Sequence, residues 1–189
     1  RVLFSSGEGS DLGSLVPILE ILEGGWPWLI LWPFGLAWAW KERHTPWGQW
    51  SLITQVVLAI TILPLKTQLP WYSHPLWLPF ALLCGVPFAW LVEKKKNQNI
   101  PAKTLLARVP YFFIAIGWCL FCFGILGFLK VIPSISLYAQ FAFAAGTGWL
   151  LGGWLLTRSL RGKRILGALA VLLGSFVSLI LLMGSGLWL

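Results

Sequence analysis

Charge is what this chain has least of. Only 11% of its residues are charged against 58% hydrophobic, and the mean hydropathy is +0.79, a balance that 189 residues could not hide inside a water-soluble core. The long apolar runs carry no Asp, Glu, Lys, Arg or His near their centres, and no internal repeat is found. Proton-coupled transport, ion conduction and voltage sensing therefore lose their usual sequence support. There are two histidines, His44 and His74, with no HxxxH and no CxxC in an aqueous loop, which argues against haem or zinc; no metal site and no cofactor is assignable within these residues. The three cysteines, Cys84, Cys119 and Cys122, all fall in apolar runs. Cys119-Leu-Phe-Cys122 lacks the exposed, electropositive setting of a reactive thiolate, so all three read as small buried apolar side chains. No basic segment followed by an apolar one opens the chain, so no signal peptide is read in Arg1 to Leu22 and any routing signal is expected upstream. The first residue is Arg1 and the one methionine is Met183, from which a fragment or processed product is expected.

What remains is apolar, aromatic and punctuated. A helix needs about 20 apolar residues to cross the hydrocarbon, and six such runs stand at approximately 25–40, 47–65, 75–92, 107–129, 136–156 and 165–184. The first is short and interrupted by Pro27 and Pro33, so a kinked or partly re-entrant segment is expected there. The expected fold is all-α: a polytopic transmembrane bundle of about six spans. Residues 1–24 are read as an outer loop in which Leu15 to Glu23 forms a short interfacial helix, and residues 25–189 as the membrane region, part of a larger membrane domain. Four of the six acidic residues, Glu8, Asp11, Glu20 and Glu23, lie in that outer segment and read as a solvated face. Most of the 14 tryptophans sit near the ends of apolar runs, where an amphipathic indole anchors at the headgroups; stacking on a sugar ring is open to one or two of them.

The net charge of +8 is split among short loops rather than drawn into a stripe, so nucleic acid is not the expected partner. Lys41 and Arg43 follow the first run; Lys94, Lys95, Lys96, Lys103 and Arg108 separate the third and fourth; Arg158, Arg161, Lys163 and Arg164 separate the fifth and sixth. That places eleven of the fourteen basic residues on one side, with Arg1, Lys66 and Lys130 opposite. By the positive-inside rule the eleven are cytoplasmic, and both termini are non-cytoplasmic. The last three runs are glycine-rich. Gly117 and Gly124 lie seven apart on one face, and Gly148-Trp-Leu-Leu-Gly152 has the small-xxx-small spacing of closely packed helices. Packing within the chain is the simpler use of it, and a homo-oligomer through Gly148 and Gly152 the other.

Polar, charged and rigid residues come together once, in Lys66-Thr-Gln-Leu-Pro-Trp-Tyr-Ser-His-Pro-Leu-Trp-Leu-Pro, between the second and third runs and on the non-cytoplasmic side. Lys supplies a charge for an anionic group, Tyr a phenolic donor and proline a preset backbone. Within it, Lys66-x-x-Leu69-Pro70-Trp71-Tyr72-x-x-Pro75, followed at once by Leu76-Trp77-Leu78-Pro79-Phe80-Ala81-Leu82-Leu83, resembles a motif of bacterial GT-C glycosyltransferases. These are the protein mannosyltransferase and aminoarabinose transferase relatives grouped as family 39, with cyanobacterial members nearest in character. Ile21-Leu22-Glu23-Gly24-Gly25-Trp26-Pro27-Trp28 looks like the opening of the preceding span in that family, and the order and separation of the two stretches fit. The likeness runs from Leu19 to Val92 and is topological beyond.

The resemblance implies a transfer of sugar from a polyprenyl-phosphate-linked donor on the outer face of a bacterial inner membrane, and a chain corresponding to the middle and C-terminal membrane part of such an enzyme. It implies that the acidic catalytic residues, with any divalent metal, lie upstream of Arg1, so that this stretch alone is inactive. It makes Lys66 and Tyr72 the residues on the lipid phosphate, with His74 beside them; where many members carry a second basic residue before Leu-Pro, this chain has Gln68. A lone interfacial histidine is more often structural. The competing expectation is a non-catalytic polytopic protein, an assembly factor or a lipid-carrier flipping component, whose Pro-Trp-Tyr loop is an interface anchor.

Overall fold

A computed structural model of the chain describes residues 16–64, 74–94, 100–131 and 133–185. Among these the regular structure is helical, with no strand: α1 (Val16–Gly24), a 3-10 turn (Trp28–Ile30), α2 (Trp32–Lys41), α3 (Pro46–Ile62), α4 (His74–Glu93), α5 (Lys103–Leu106), α6 (Val109–Phe128), α7 (Pro133–Ser136), α8 (Ala139–Leu156) and α9 (Arg161–Gly184). Three stretches are long and apolar enough to cross a membrane: His74–Glu93, Lys103–Phe128 and Arg161–Gly184, with mean hydropathies of 1.8, 2.1 and 2.7. The run expected as a first span over 25–40 is divided. Pro27 precedes the 3-10 turn, and Pro33 starts a fresh helix at a position where its missing N–H is not needed. The ten residues of α2 rise about 15 Å, half the hydrocarbon thickness.

The chain forms two compact units, residues 1–89 with 98–103 and residues 90–97 with 104–189. In the first, α2 and α3 make a helical hairpin. Thr45 caps α3 by accepting from the Gly48 N–H at 3.2 Å while its hydroxyl donates to the Glu42 carbonyl at 2.8 Å, and Pro46 takes the first turn. The Trp38 indole donates to Glu42 Oε1 at 2.8 Å, so the turn holds its own acid. Across from α2, α4 contains Pro87, which cannot donate to the Leu83 carbonyl four residues back. Gly35 of α2 lies against that carbonyl, so closely that a β-carbon there would collide with it. A freed acceptor thus meets a bare Cα, a contact of the weak Cα–H···O kind.

In the second unit α8 packs between α6 and α9, and its sequence explains how. Gly146 and Gly153 are seven apart and share a face, while Gly148 and Gly152 share a face roughly opposite, since two residues turn the helix by about 200°. A β-carbon on Gly146 would meet the backbone of Phe121 and one on Gly153 that of Ile114, both in α6. On the other side Gly148 faces Gly174 of α9, where an added β-carbon would lie 2.6 Å from its Cα, and Gly152 faces the Gly167 carbonyl at a corresponding 2.6 Å. Gly148 and Gly152 therefore pack against α9 within the chain. Trp149 ties the layers, its ring edge-on to Phe113 of α6 at 6.4 Å and its indole donating to Ser175 Oγ of α9 at 2.8 Å. This tryptophan is buried within a helix rather than anchored at an interface. Large apolar side chains point outward instead: Leu172, Leu173, Phe176 and Val177 of α9 are exposed while Gly167 and Ala168 are buried. Small residues inside and leucines outside is the arrangement suited to lipid rather than water.

Arg164, counted among the loop cations, is buried at 6% exposure. Its guanidinium donates to the carbonyls of Val92 at 2.6 Å and Glu93 at 3.2 Å at the end of α4, and to Arg158 at 3.2 Å and Ser159 beyond the end of α8. Helix C-termini leave carbonyls without partners and carry partial negative charge, and a forked five-donor cation answers both needs. Lys94 adds a bond to the Leu156 carbonyl at 3.1 Å. Burial, and then the charge of Arg164, hold the Lys94 ammonium below its ordinary pKa of 10.5.

Candidate functional site

Of the residues expected to bind a lipid phosphate, Lys66 and Tyr72 lie outside the described residues, and His74 is the first residue of α4, exposed. Pro75 follows in the first turn, where no intrahelical N–H is needed. The start of α4 is fixed by Trp77, which lies edge-on to Phe80 at 5.5 Å and whose ring rests on the end of α1, where a β-carbon on Gly24 would come within 3.1 Å of it.

Around this corner the first unit holds a cavity of about 290 Å³. Ile18 and Leu22 of α1, Leu63 at the end of α3 and Leu76 of α4 give it an apolar wall. Two polar side chains also line it, Trp32 of α2 and Gln55 of α3, and among the described residues neither Trp32 Nε1 nor Gln55 Oε1 has a hydrogen-bond partner although both atoms are buried. A buried polar atom left unpaired costs about 1–3 kcal/mol, so two such atoms on residues that line one cavity are not a neutral detail. Leu63 precedes Lys66 by three residues and Leu76 follows Tyr72 by four, so the Lys66-to-Ser73 stretch joins the two helix ends that line the cavity.

Gln55 was within reach of the sequence. It interrupts Leu52-Ile53-Thr54-Gln55-Val56-Val57-Leu58, and an amide amid a membrane-length apolar run asks for a partner as a charge does. Being uncharged, it does not stand out as an ionisable side chain would. Trp32 carried no such mark, because its indole N–H is one of many near apolar ends.

The cysteines divide. Cys84 is buried, its thiol donating to the Trp28 carbonyl at 3.4 Å. Cys119 is exposed and Cys122 half-buried on α6, so the expectation that all three are buried fails for Cys119; all three are free. Among the described residues no three His, Cys, Asp or Glu side chains gather where a metal ion could sit.

No protein-family model matches the chain, and no solved structure matches it. Over 69 residues the chain is 42% identical to the undecaprenyl phosphate-alpha-4-amino-4-deoxy-L-arabinose arabinosyl transferase 2 of Sodalis glossinidius (strain morsitans). The likeness takes in 36% of this chain and 12% of that relative, so only a small part of a transferase's length is represented.

Proposed function

We propose that the chain is part of a membrane glycosyltransferase of the GT-C type, one that takes sugar from a polyprenyl-phosphate-linked donor on the non-cytoplasmic face of a bacterial inner membrane. The observation that carries this reading is the 42% identity over 69 residues to an arabinosyl transferase named for an undecaprenyl phosphate sugar. Helices long and apolar enough to cross a membrane are what such a donor requires. On this reading six segments traverse or enter the bilayer, α1 lies on its outer surface within residues 1–24, and the eleven clustered basic residues are cytoplasmic.

Lys66 and Tyr72 hold the carrier phosphate and His74 flanks it. An ammonium neutralises phosphate charge and a phenol donates to a phosphate oxygen. The transfer itself needs a carboxylate to act as general base on the acceptor and a cation to stabilise the departing phosphate; the carboxylate is assigned to sequence upstream of Arg1, with any divalent metal. A charge-assisted hydrogen bond contributes roughly 1.5–3 kcal/mol, so Lys66→Ala should weaken polyprenyl phosphate binding by about ten-fold or more, and Tyr72→Phe by less, since the ring keeps its interfacial packing. Titration of polyprenyl phosphate against the purified protein and its variants is the test. Equal affinity for wild type and Lys66→Ala would reduce the loop to an anchor and favour a non-catalytic polytopic protein.

A further inference from the structure

From Lys94 to Leu189 no residue is acidic, so the second unit has Glu93 as its one carboxylate side chain. Its cations gather in the turn between α8 and α9, Arg158-Ser-Leu-Arg161-Gly-Lys163-Arg164. The inward ones have acceptors of their own: Arg164 donates to four helix-end carbonyls, and Lys94 to that of Leu156. Arg158, Arg161 and Lys163 are left to share Glu93, which lies 3.5 Å from Arg161. One carboxylate cannot neutralise three cations, so counter-charge has to come from outside the unit. The turn after α2 is the contrast. There Arg43 also stands over a tryptophan ring, Trp40 at 5.6 Å, but Glu42 is its neighbour in sequence.

The surroundings of the turn say what carries that counter-charge. Arg164 holds the backbone from inside through the Arg158 and Ser159 carbonyls, and every residue from Arg158 to Lys163 is exposed. A β-carbon added to Gly162 would meet nothing within 4 Å, so the ledge between Arg161 and Lys163 is open. The Arg158 guanidinium lies 3.9 Å over the ring of the exposed Trp154, and Leu151, a helical turn further along α8, is exposed as well. On α9 the exposed Ile165 and Leu166 follow Arg161 and Lys163 at the spacing of neighbours on a helix surface. Leu160, at the tip of the turn, is 61% exposed. Each outward cation thus heads a strip of outward apolar side chains. An acidic polypeptide would answer the charge and leave the strips bare, whereas an amphiphile with an anionic head and hydrocarbon tails matches both.

We propose that the α8–α9 turn is a binding surface for anionic phospholipid, with Arg158, Arg161 and Lys163 donating to headgroup phosphates, Trp154 at the boundary of headgroup and chain, and acyl chains along Leu151, Ile165 and Leu166. The surface stands whether or not the chain transfers sugar, since it rests on the charges and apolar strips of the second unit alone.

The probes are dioleoyl phosphatidylglycerol and dioleoyl phosphatidylcholine, which share chains and phosphate and differ in net charge. Each is titrated against the purified, delipidated chain in detergent, with bound lipid counted by native mass spectrometry. Phosphatidylglycerol should bind about ten-fold tighter or more, since each basic residue near a headgroup contributes severalfold. The Arg158→Gln, Lys163→Gln double variant should lose most of that preference and bind phosphatidylcholine as wild type does, which doubles as the check that it is folded. Lys130→Gln, at an exposed cation just past α6, should keep the preference, and glycerol phosphate, a headgroup without tails, should not compete. Equal affinity for the two lipids in wild type, a preference that survives in the double variant, or one that falls as far in Lys130→Gln would each overturn the surface. Displacement of phosphatidylglycerol by glycerol phosphate or by polyglutamate at matched charge would overturn it too, and assign the turn to a water-borne anion. Should the double variant not fold, the wild-type comparison and the competition still decide.

Discussion

Arg164 shows how much one side chain can hold at a helix end. Four carbonyls from the ends of two helices converge on its guanidinium in a setting only 6% exposed. Truncation would leave those acceptors buried and unpaired, and each costs about 1–3 kcal/mol. Arg164→Ala is therefore expected to destabilise the chain by about 3 kcal/mol or more, measured as a fall in the thermal midpoint in nanodiscs. Arg164→Lys should recover only part, because an ammonium cannot span four acceptors in a planar fork. The neighbouring Arg161–Glu93 pair, at 3.5 Å with both side chains exposed, provides a contrast: Arg161→Ala should change the midpoint little. Charge counting along the sequence ranks Arg161 and Arg164 together, since both sit in one basic cluster between apolar runs. Nothing in the local pattern says which will turn inward, because two of the four carbonyls that draw Arg164 in belong to residues about seventy positions away.

Hydropathy located most elements closely. Runs expected at 75–92, 107–129 and 165–184 appear as His74–Glu93, Val109–Phe128 and Arg161–Gly184, since apolar length alone marks a membrane-length helix. The stretch 25–40, expected to be kinked or partly re-entrant at its two prolines, is divided there. The pieces of the proposed site were legible in unequal measure. Lys66, Tyr72 and His74 stand out as polar residues among apolar ones, whereas the cavity depends on which faces of α1, α2, α3 and α4 meet, and no residue spacing records that. The glycine pattern of α8 was legible as a packing face but not as two faces with different partners. Gly148 meets Gly174 with no room for a β-carbon, so Gly148→Val should force α9 away. A loss of about 1–3 kcal/mol is expected from such overpacking, with the Trp149–Ser175 hydrogen bond broken as α9 moves. Melting temperature and the Trp149 fluorescence of a variant in which the other tryptophans are replaced would report the two effects separately. By contrast Gly162 and Gly184 have open space where a β-carbon would go, and alanine at either should be tolerated.

For the whole molecule, the proposed orientation makes a sharp distinction between the two ends of the helices. A cysteine placed at Ser73, in a background with Cys84, Cys119 and Cys122 replaced, should react with a membrane-impermeant maleimide from the non-cytoplasmic side, and one placed at Ser159 only after the cytoplasmic side is opened. The reverse pattern would invert the topology and, with it, the face on which the proposed phosphate site lies.

The inside-out packing of α8 and α9 has a consequence for how this sequence can drift. In a water-soluble helix the leucines are held fixed by the core and the small surface residues vary. Here Leu172, Leu173, Phe176 and Val177 face outward, where one bulky apolar side chain dissolves in lipid about as well as another. Gly148, Gly152, Gly167 and Gly174 leave no room for a β-carbon unless the neighbouring helix shifts. Change is therefore expected to be least free at the smallest residues of these helices, and large hydrophobic positions should say least about where the helices fit one another best.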